Sequence, residues 1–281
     1  MAASGRGTAI ITTTALRTNN LVLYMVSSSE ILAMTTDNIN TPSAVLSIYS
    51  GELRKQTGPF STNTLDTKNY VYYVEGVDGS NGGNDTVLGQ ATFTTNGNAT
   101  LTIDENTNGT LKPTVSGPAS FAIASNGRTT ITASGAGSPP PILYLIDSSS
   151  AFIVGTDNAV GFGNFEMQTS GGFRTSSISG SFFLGGDAPT TGVSYNSGTA
   201  NFNSPAGGTS SISGKRDDSG PTGLKTEILS PNTGWTYSFS VSSSTPGKGT
   251  VGPNSIAYAI SVSKIVFMST GGNPEIFVGQ K

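Results

Sequence analysis

Three stretches of this chain are versions of one another. NNLVLYMVSSSEILAMTTDN spans 19–38, PPPILYLIDSSSAFIVGTDN spans 139–158, and PNSIAYAISVSKIVFMSTGG spans 253–272. Their shared tyrosines are Tyr24, Tyr144 and Tyr258. A short basic turn precedes each copy: Gly5-Arg6-Gly7-Thr8, Asn126-Gly127-Arg128-Thr129 and Gly247-Lys248-Gly249-Thr250. The first two copies close on Gln56-Thr57-Gly58 and Gln168-Thr169-Ser170-Gly171, each followed by a phenylalanine, Phe60 or Phe173; the third ends at Val278-Gly279-Gln280-Lys281. Markers recurring in one order mean that one supersecondary unit has been copied along the chain. The period divides the chain into a complete unit at 59–171, a second at 172–281, and a stretch at 1–58 that carries only the second half of a unit.

The unit reads as antiparallel β-structure. Within 60–171 eight alternating or apolar stretches occur, near 69–75, 87–95, 98–104, 119–124, 129–133, 142–147, 151–156 and 162–168. Asn96-Gly97, Asn108-Gly109 and Asn126-Gly127 connect several of them. Asn-Gly supplies the positive φ angles of a type I′ hairpin turn at low steric cost. Eight strands meandering through hairpins can close into a barrel, which removes exposed edges; a two-sheet sandwich is the alternative. The expected fold class is therefore all-β: tandem eight-stranded antiparallel meander barrels with an N-terminal half-unit. Composition agrees, with 37 glycines, 11% charged residues and 13 Phe, 9 Tyr and 1 Trp to build cores.

A half-unit is a physical problem. Four strands at 1–58 would leave two unpaired edges and expose Leu21, Leu23, Met25, Ile31 and Ala33 or their alternating neighbours. The expectation is that other strands complete it. They would come from other copies of the chain through strand pairing at residues 1–58, or from an upstream portion of a longer polypeptide.

Several chemistries are excluded by absence. The chain has no Cys and no His, which removes disulfides, cysteine zinc sites, and the commonest general base and metal ligand. Fourteen Lys and Arg against seventeen Asp and Glu make no nucleic-acid groove. The longest apolar run, Leu21–Val26, is too short to span a membrane as a helix. No catalytic residue, metal site or cofactor is expected.

The remaining candidates each have a plainer reading. Asp37-Asn38 and Asp157-Asn158 follow the repeated strand and read as Asx turns rather than calcium ligands, because the third copy has Gly271-Gly272 there. The oxygen-rich loop from Asp78 to Asp85 fits no calcium-loop spacing and reads as a hairpin tip. Glu52, Glu166 and Glu275 fall near the closing strand of each unit, one carboxylate apiece, where glycoside cleavage needs a pair. Tyr70, Tyr72 and Tyr73, and Trp235 with Tyr237, could stack sugars, but aromatic core positions explain them equally well. Asn84, Asn98 and Asn108 are candidate glycosylation acceptors, at a number that this composition gives by chance.

The order of elements resembles that of repetitive secreted proteins of environmental bacteria. Those carry tandem units of this size, opened by a Leu-x-Gly/Asn-x-Tyr/Phe strand and closed by a Gly-x-x-Glu-x-Gln strand. Leu65-Asp66-Thr67-Lys68-Asn69-Tyr70 and Ile178-Ser179-Gly180-Ser181-Phe182 correspond to the opening, and Gly163-Asn164-Phe165-Glu166-Met167-Gln168 to the close; Gly51-Glu52-Leu53-Arg54-Lys55-Gln56 departs from it. The resemblance implies modularity and an extracellular or cell-surface location, with no activity to carry over. The expected role is a secreted, non-enzymatic structural protein, a subunit of a surface filament, stalk or layer. The alternative is a carbohydrate- or small-ligand-binding β-barrel module of lectin or adhesin type, with glycans as partners.

Overall fold

The computed structural model describes residues 4–12, 18–36, 50–80, 82–133, 139–169, 172–186, 195–204, 210–220, 223–242, 245–272 and 274–281. They form two compact bodies, 1–57 and 58–281. In the first, β1 (Arg6–Thr12), β2 (Thr18–Ser27), β3 (Glu30–Thr35) and β4 (Ser50–Arg54) make a four-stranded antiparallel meander in chain order. Strands β1 and β4 are its two edges.

The second body begins with β5 (Asn69–Asp78), β6 (Asn84–Phe93), β7 (Asn98–Thr107), β8 (Thr110–Leu111), β9 (Val115–Ile123), β10 (Arg128–Ala133), β11 (Ile142–Leu145), β12 (Ser150–Val154) and β13 (Ala159–Met167). Eight of these close a barrel. Strand β8 is a spur on β7, and β7 pairs directly with β9. The ring is sealed where β13 pairs with β5 over nine positions, from Ala159 opposite Asp78 to Met167 opposite Tyr70. One continuous ladder is a barrel, not a sandwich.

The remaining strands are β14 (Gly180–Gly186), β15 (Tyr195–Asn203), β16 (Ser211–Gly220), β17 (Gly223–Leu229), β18 (Tyr237–Phe239), β19 (Lys248–Val251), β20 (Ser255–Ser261), β21 (Lys264–Ser269) and β22 (Ile276–Gln280). They repeat the order of β5 to β13: β17 is the spur, and β22 pairs with β14. Closure is narrower here. Strand β16 meets the chain ahead of β18 through the bridge Ser211–Thr236 and a hydrogen bond from Ile212 N to Trp235 O at 2.9 Å.

Cross-strand register makes the repeat quantitative. Arg6 lies opposite Tyr24, Arg128 opposite Tyr144, and Lys248 opposite Tyr258. Strands β1 to β4 are thus the counterparts of β10 to β13 and of β19 to β22. The closing markers are less regular than their sequences suggest. Gln280 lies opposite Lys264 as Glu166 lies opposite Ser150 and Arg54 opposite Glu30, so Gln280 matches Glu166 and not Gln168. Glu52 faces Leu32, and Glu275 precedes β22, so the three glutamates occupy three different positions.

Alternation along each strand fills the barrels. Tyr70 and Phe165 stack at 4.5 Å, and Phe93 meets Tyr70 and Phe165 edge-on, inside the first. Phe182, Phe202 and Tyr237 form the matching cluster inside the second. Gly89 and Gly198 sit at one register position in the two barrels. A Cβ at either would lie 2.2 Å from a carbonyl oxygen of the next strand, Thr102 or Lys215. Asn96-Gly97 and Asn108-Gly109 have both residues at positive φ, as a type I′ turn requires, whereas at Asn126-Gly127 only the glycine does.

Candidate functional site: the seam between the two barrels

The period-2 rule sends Tyr70 and Tyr72 into the first barrel and their neighbours Val71 and Tyr73 outward. Val71, Tyr73 and Leu88 do not meet water. They form one buried cluster with Tyr258, Ile260, Val266, Met268 and Ile276 from the outer face of β20 to β22. An apolar seam of this kind joins the two barrels face to face.

A carboxylate sits within it. Asp104, on the outer face of β7, is 1% exposed. Its Oδ1 accepts from Lys248 Nζ at 2.7 Å and from Thr114 Oγ1 at 2.5 Å; its Oδ2 accepts from Tyr258 OH at 2.8 Å. The Lys248 ammonium also lies 5.6 Å from the centre of the Tyr258 ring. A buried charge is tolerated only when paired and hydrogen-bonded, and both oxygens of Asp104 are. Burial, with the negative charge of Asp104, pushes the Tyr258 hydroxyl above its ordinary value of 10.0, so it stays a donor.

Further polar contacts flank this clasp. Lys264 Nζ reaches both oxygens of Glu166 at 2.7 Å, and Tyr73 OH donates to Glu166 Oε1 at 2.6 Å. The Ile276 N–H donates to buried Glu75, Gln168 Nε2 to the carbonyls of Pro246 and Ala259, and Asn106 Nδ2 to that of Ser269. Main-chain carbonyls of one barrel are therefore satisfied by amide side chains of the other. The chemistry on offer is recognition of a carboxylate and of main-chain groups.

The residues singled out in the sequence scatter. Asp37-Asn38 lies outside the described residues, as does Asn81 of the 78–85 loop. The rest of that loop is a hairpin tip, with Ser80 N donating to Asp78 Oδ1 at 2.8 Å. The carbonyl of Asn158 accepts from Gly79 N at 2.9 Å. Glu52 pairs with Arg54 at 2.8 Å. Glu275 accepts from Asn196 Nδ2 at 2.8 Å, and burial raises its carboxyl. Tyr70, Tyr72, Tyr73, Trp235 and Tyr237 are all buried and present no aromatic platform to solvent. Asn84 is buried at the start of β6, where a glycan has no room; Asn98 and Asn108 are exposed. Among the described residues no group of three or more acidic, His or Cys side chains is placed to hold a metal ion, and no helix is long and apolar enough to cross a membrane.

Sequence reasoning missed Asp104, Lys248 and Lys264 as a site. The available signal was the basic turn ahead of each tyrosine strand, which marks the repeat but does not reveal that the pair grips a third residue. The fold and the seam define a class, the tandem antiparallel β-barrel protein whose units join through a buried carboxylate clasp. No known family model matches the chain, and no curated protein or solved structure is similar to it.

Proposed function

We propose that this chain is a secreted, non-enzymatic structural protein, a subunit of an extracellular filament, stalk or layer built from β repeats. One observation carries the reading. The half-unit presents Ile10, Ile11, Tyr24, Met25, Val26, Leu32, Met34 and Leu53 to solvent, on a sheet whose edges β1 and β4 have no partner strand among the described residues. Exposed apolar edge strands are templates for pairing with another chain. Ile11, Met25 and Leu53 stand at the register of Ala133, Leu145 and Phe165, which line the interior of the first barrel. They are core residues awaiting the other half of a barrel. Burying roughly 500–1,000 Å² of such surface, at ~25 cal/mol/Å², contributes on the order of 12–25 kcal/mol before ordering costs.

Strand pairing at residues 1–58 with other copies is the proposed association. Aromatic filling of both barrel interiors supports a scaffold over a ligand-binding module. The test is the size distribution of the full chain across concentration, by sedimentation and electron microscopy, beside a chain lacking 1–58. The reading expects concentration-dependent assembly that the deletion abolishes. Equal behaviour of both chains as single copies would overturn it.

A further inference from the structure

The clasp at Asp104 has a second, unfilled version. Asp104 lies opposite Leu88 in the first barrel; at the same register in the second, Asp217 lies opposite Ser197. Thr226 Oγ1 donates to Asp217 Oδ1 at 2.6 Å, as Thr114 does to Asp104. Val71, fully buried in the seam, has Phe183 as its counterpart, since Val71 faces Glu166 and Phe183 faces Gln280. Phe183 is 70% exposed and Asp217 is exposed. Phe183 and Asp217 thus repeat Val71 and Asp104 on a face left uncovered among the described residues, with Gly185 and Ser197 at the positions of Tyr73 and Leu88.

The gripping half also recurs. Tyr24 is 49% exposed and Tyr144 44%, each opposite its arginine. The two differ in what surrounds them. Beside Tyr258 stand Ile256, Ile260, Val266 and Met268; beside Tyr24, at the same positions, stand Val22, already buried, and the exposed Val26, Leu32 and Met34. Around Tyr144 the set includes Phe152, packed on Phe162 at 5.6 Å. Charge separates them further. Lys264 meets Glu166 across the seam, and the half-unit has Glu30 at the Lys264 position. Glu30, paired with Arg54 at 3.2 Å, would repel a glutamate there, but the second barrel offers Gln280, whose amide can donate to it. The reversed charge on the gripping side meets a neutral amide on the receiving side.

We propose that a second copy of this chain docks its Arg6–Tyr24 face on the Phe183–Asp217 face of the second barrel, repeating the joint made by Lys248 and Tyr258 on Asp104. This rests on the reading of the chain as a structural subunit and names the contact that propagates it. The two faces differ, so the joint is heterologous, and copies add head to tail without self-complementarity. It uses the outer face of the half-unit and leaves edges β1 and β4 free to pair.

The test uses the full chain and two charge reversals at exposed residues, Asp217→Lys and Arg6→Asp. Each alone is expected to raise the concentration needed for assembly about a hundredfold. Mixed in equal amounts they should assemble. The introduced lysine of one copy then meets the introduced aspartate of the other, while the unaltered Arg6 of the first meets the unaltered Asp217 of the second. Arg128→Asp should assemble like the unaltered chain. Circular dichroism of each variant checks folding, and Phe183→Ser gives a second, uncharged disruption with the same expected direction. Assembly of Asp217→Lys at the unaltered concentration, while deletion of 1–58 abolishes assembly, would overturn this joint and leave the structural reading standing. Failure of the mixture to assemble, or loss on Arg128→Asp instead of Arg6→Asp, would overturn it too. A chain that never assembles would overturn both.

Discussion

Tyr258 and Tyr24 are one position of one repeat, and they live in opposite surroundings. Tyr258 is sealed against the first barrel with its hydroxyl on Asp104; Tyr24 stands half in water beside Arg6. The outward-facing neighbours of both are alike in kind, Val22, Val26, Leu32 and Met34 against Ile256, Ile260, Val266 and Met268, so apolar neighbours on the strand do not decide burial. What lies across the face decides it. The first barrel offers Val71, Leu88 and Asp104 to Tyr258. A repeat of this kind encodes a joint, and each copy is filled or open according to its neighbour.

The largest effect that can break this comparison is removal of the carboxylate. Asp104→Ala leaves the buried Tyr258 hydroxyl without its acceptor and Lys248, about a quarter exposed, without its partner, and should destabilise the chain to urea by about 3 kcal/mol. Asp217→Ala, at the open copy, should cost the monomer no more than about 0.5 kcal/mol. Equal effects would mean that the two aspartates are not counterparts in energy. Next in size is Tyr258→Phe, which deletes a hydrogen bond to a charged group and should cost about 1.5–3 kcal/mol. Tyr24→Phe and Tyr144→Phe should leave the urea midpoint unchanged.

The alkaline limb sharpens the same point. Folded Tyr258 holds its proton above the ordinary 10.0, so above that pH the unfolded chain binds fewer protons than the folded one and stability falls as pH rises. Tyr70 and Tyr72, buried in the first barrel, act in the same direction. Urea titrations above pH 10 should therefore show a falling midpoint. Tyr258→Phe should make that fall shallower by one proton, about 1.4 kcal/mol per pH unit. A smaller loss than at Tyr258 is expected at Lys264, whose pair with Glu166 is about a fifth exposed on each side. Lys264→Met should cost about 0.5–1 kcal/mol, and the loss should shrink in 1 M salt.

The eight strands of the first barrel were legible because hairpin glycines and alternating apolar residues announce them. Their ends were not. Strands β5 to β7 run on through Asp78, Asn84, Thr86 and Thr107, polar residues that no hydrophobic pattern marks as strand. Several polar side chains at these ends, Glu75 and Asn106 among them, are buried by the second barrel, a long-range fact that no sequence window contains. The spur β8 was missed because two residues carry no periodicity. The seam was half legible. Arg6, Arg128 and Lys248 were visible as a recurring turn, but Asp104 looks like any strand aspartate until β7 is folded against β19 and β20. Equivalence at the closing strands is set by ladder register and not by residue type, which places Gln280 with Glu166.

The basic turn and the tyrosine strand together grip a carboxylate of the preceding unit. A double-mutant cycle measures this grip, with Asp104→Ala, Lys248→Ala and the pair together, read as urea stability of the full chain. The expected coupling is about 2 kcal/mol for Asp104 with Lys248, and near zero for Asp104 with Arg128, the same turn in the wrong unit. A coupling below about 0.3 kcal/mol for Asp104 with Lys248 would contradict it.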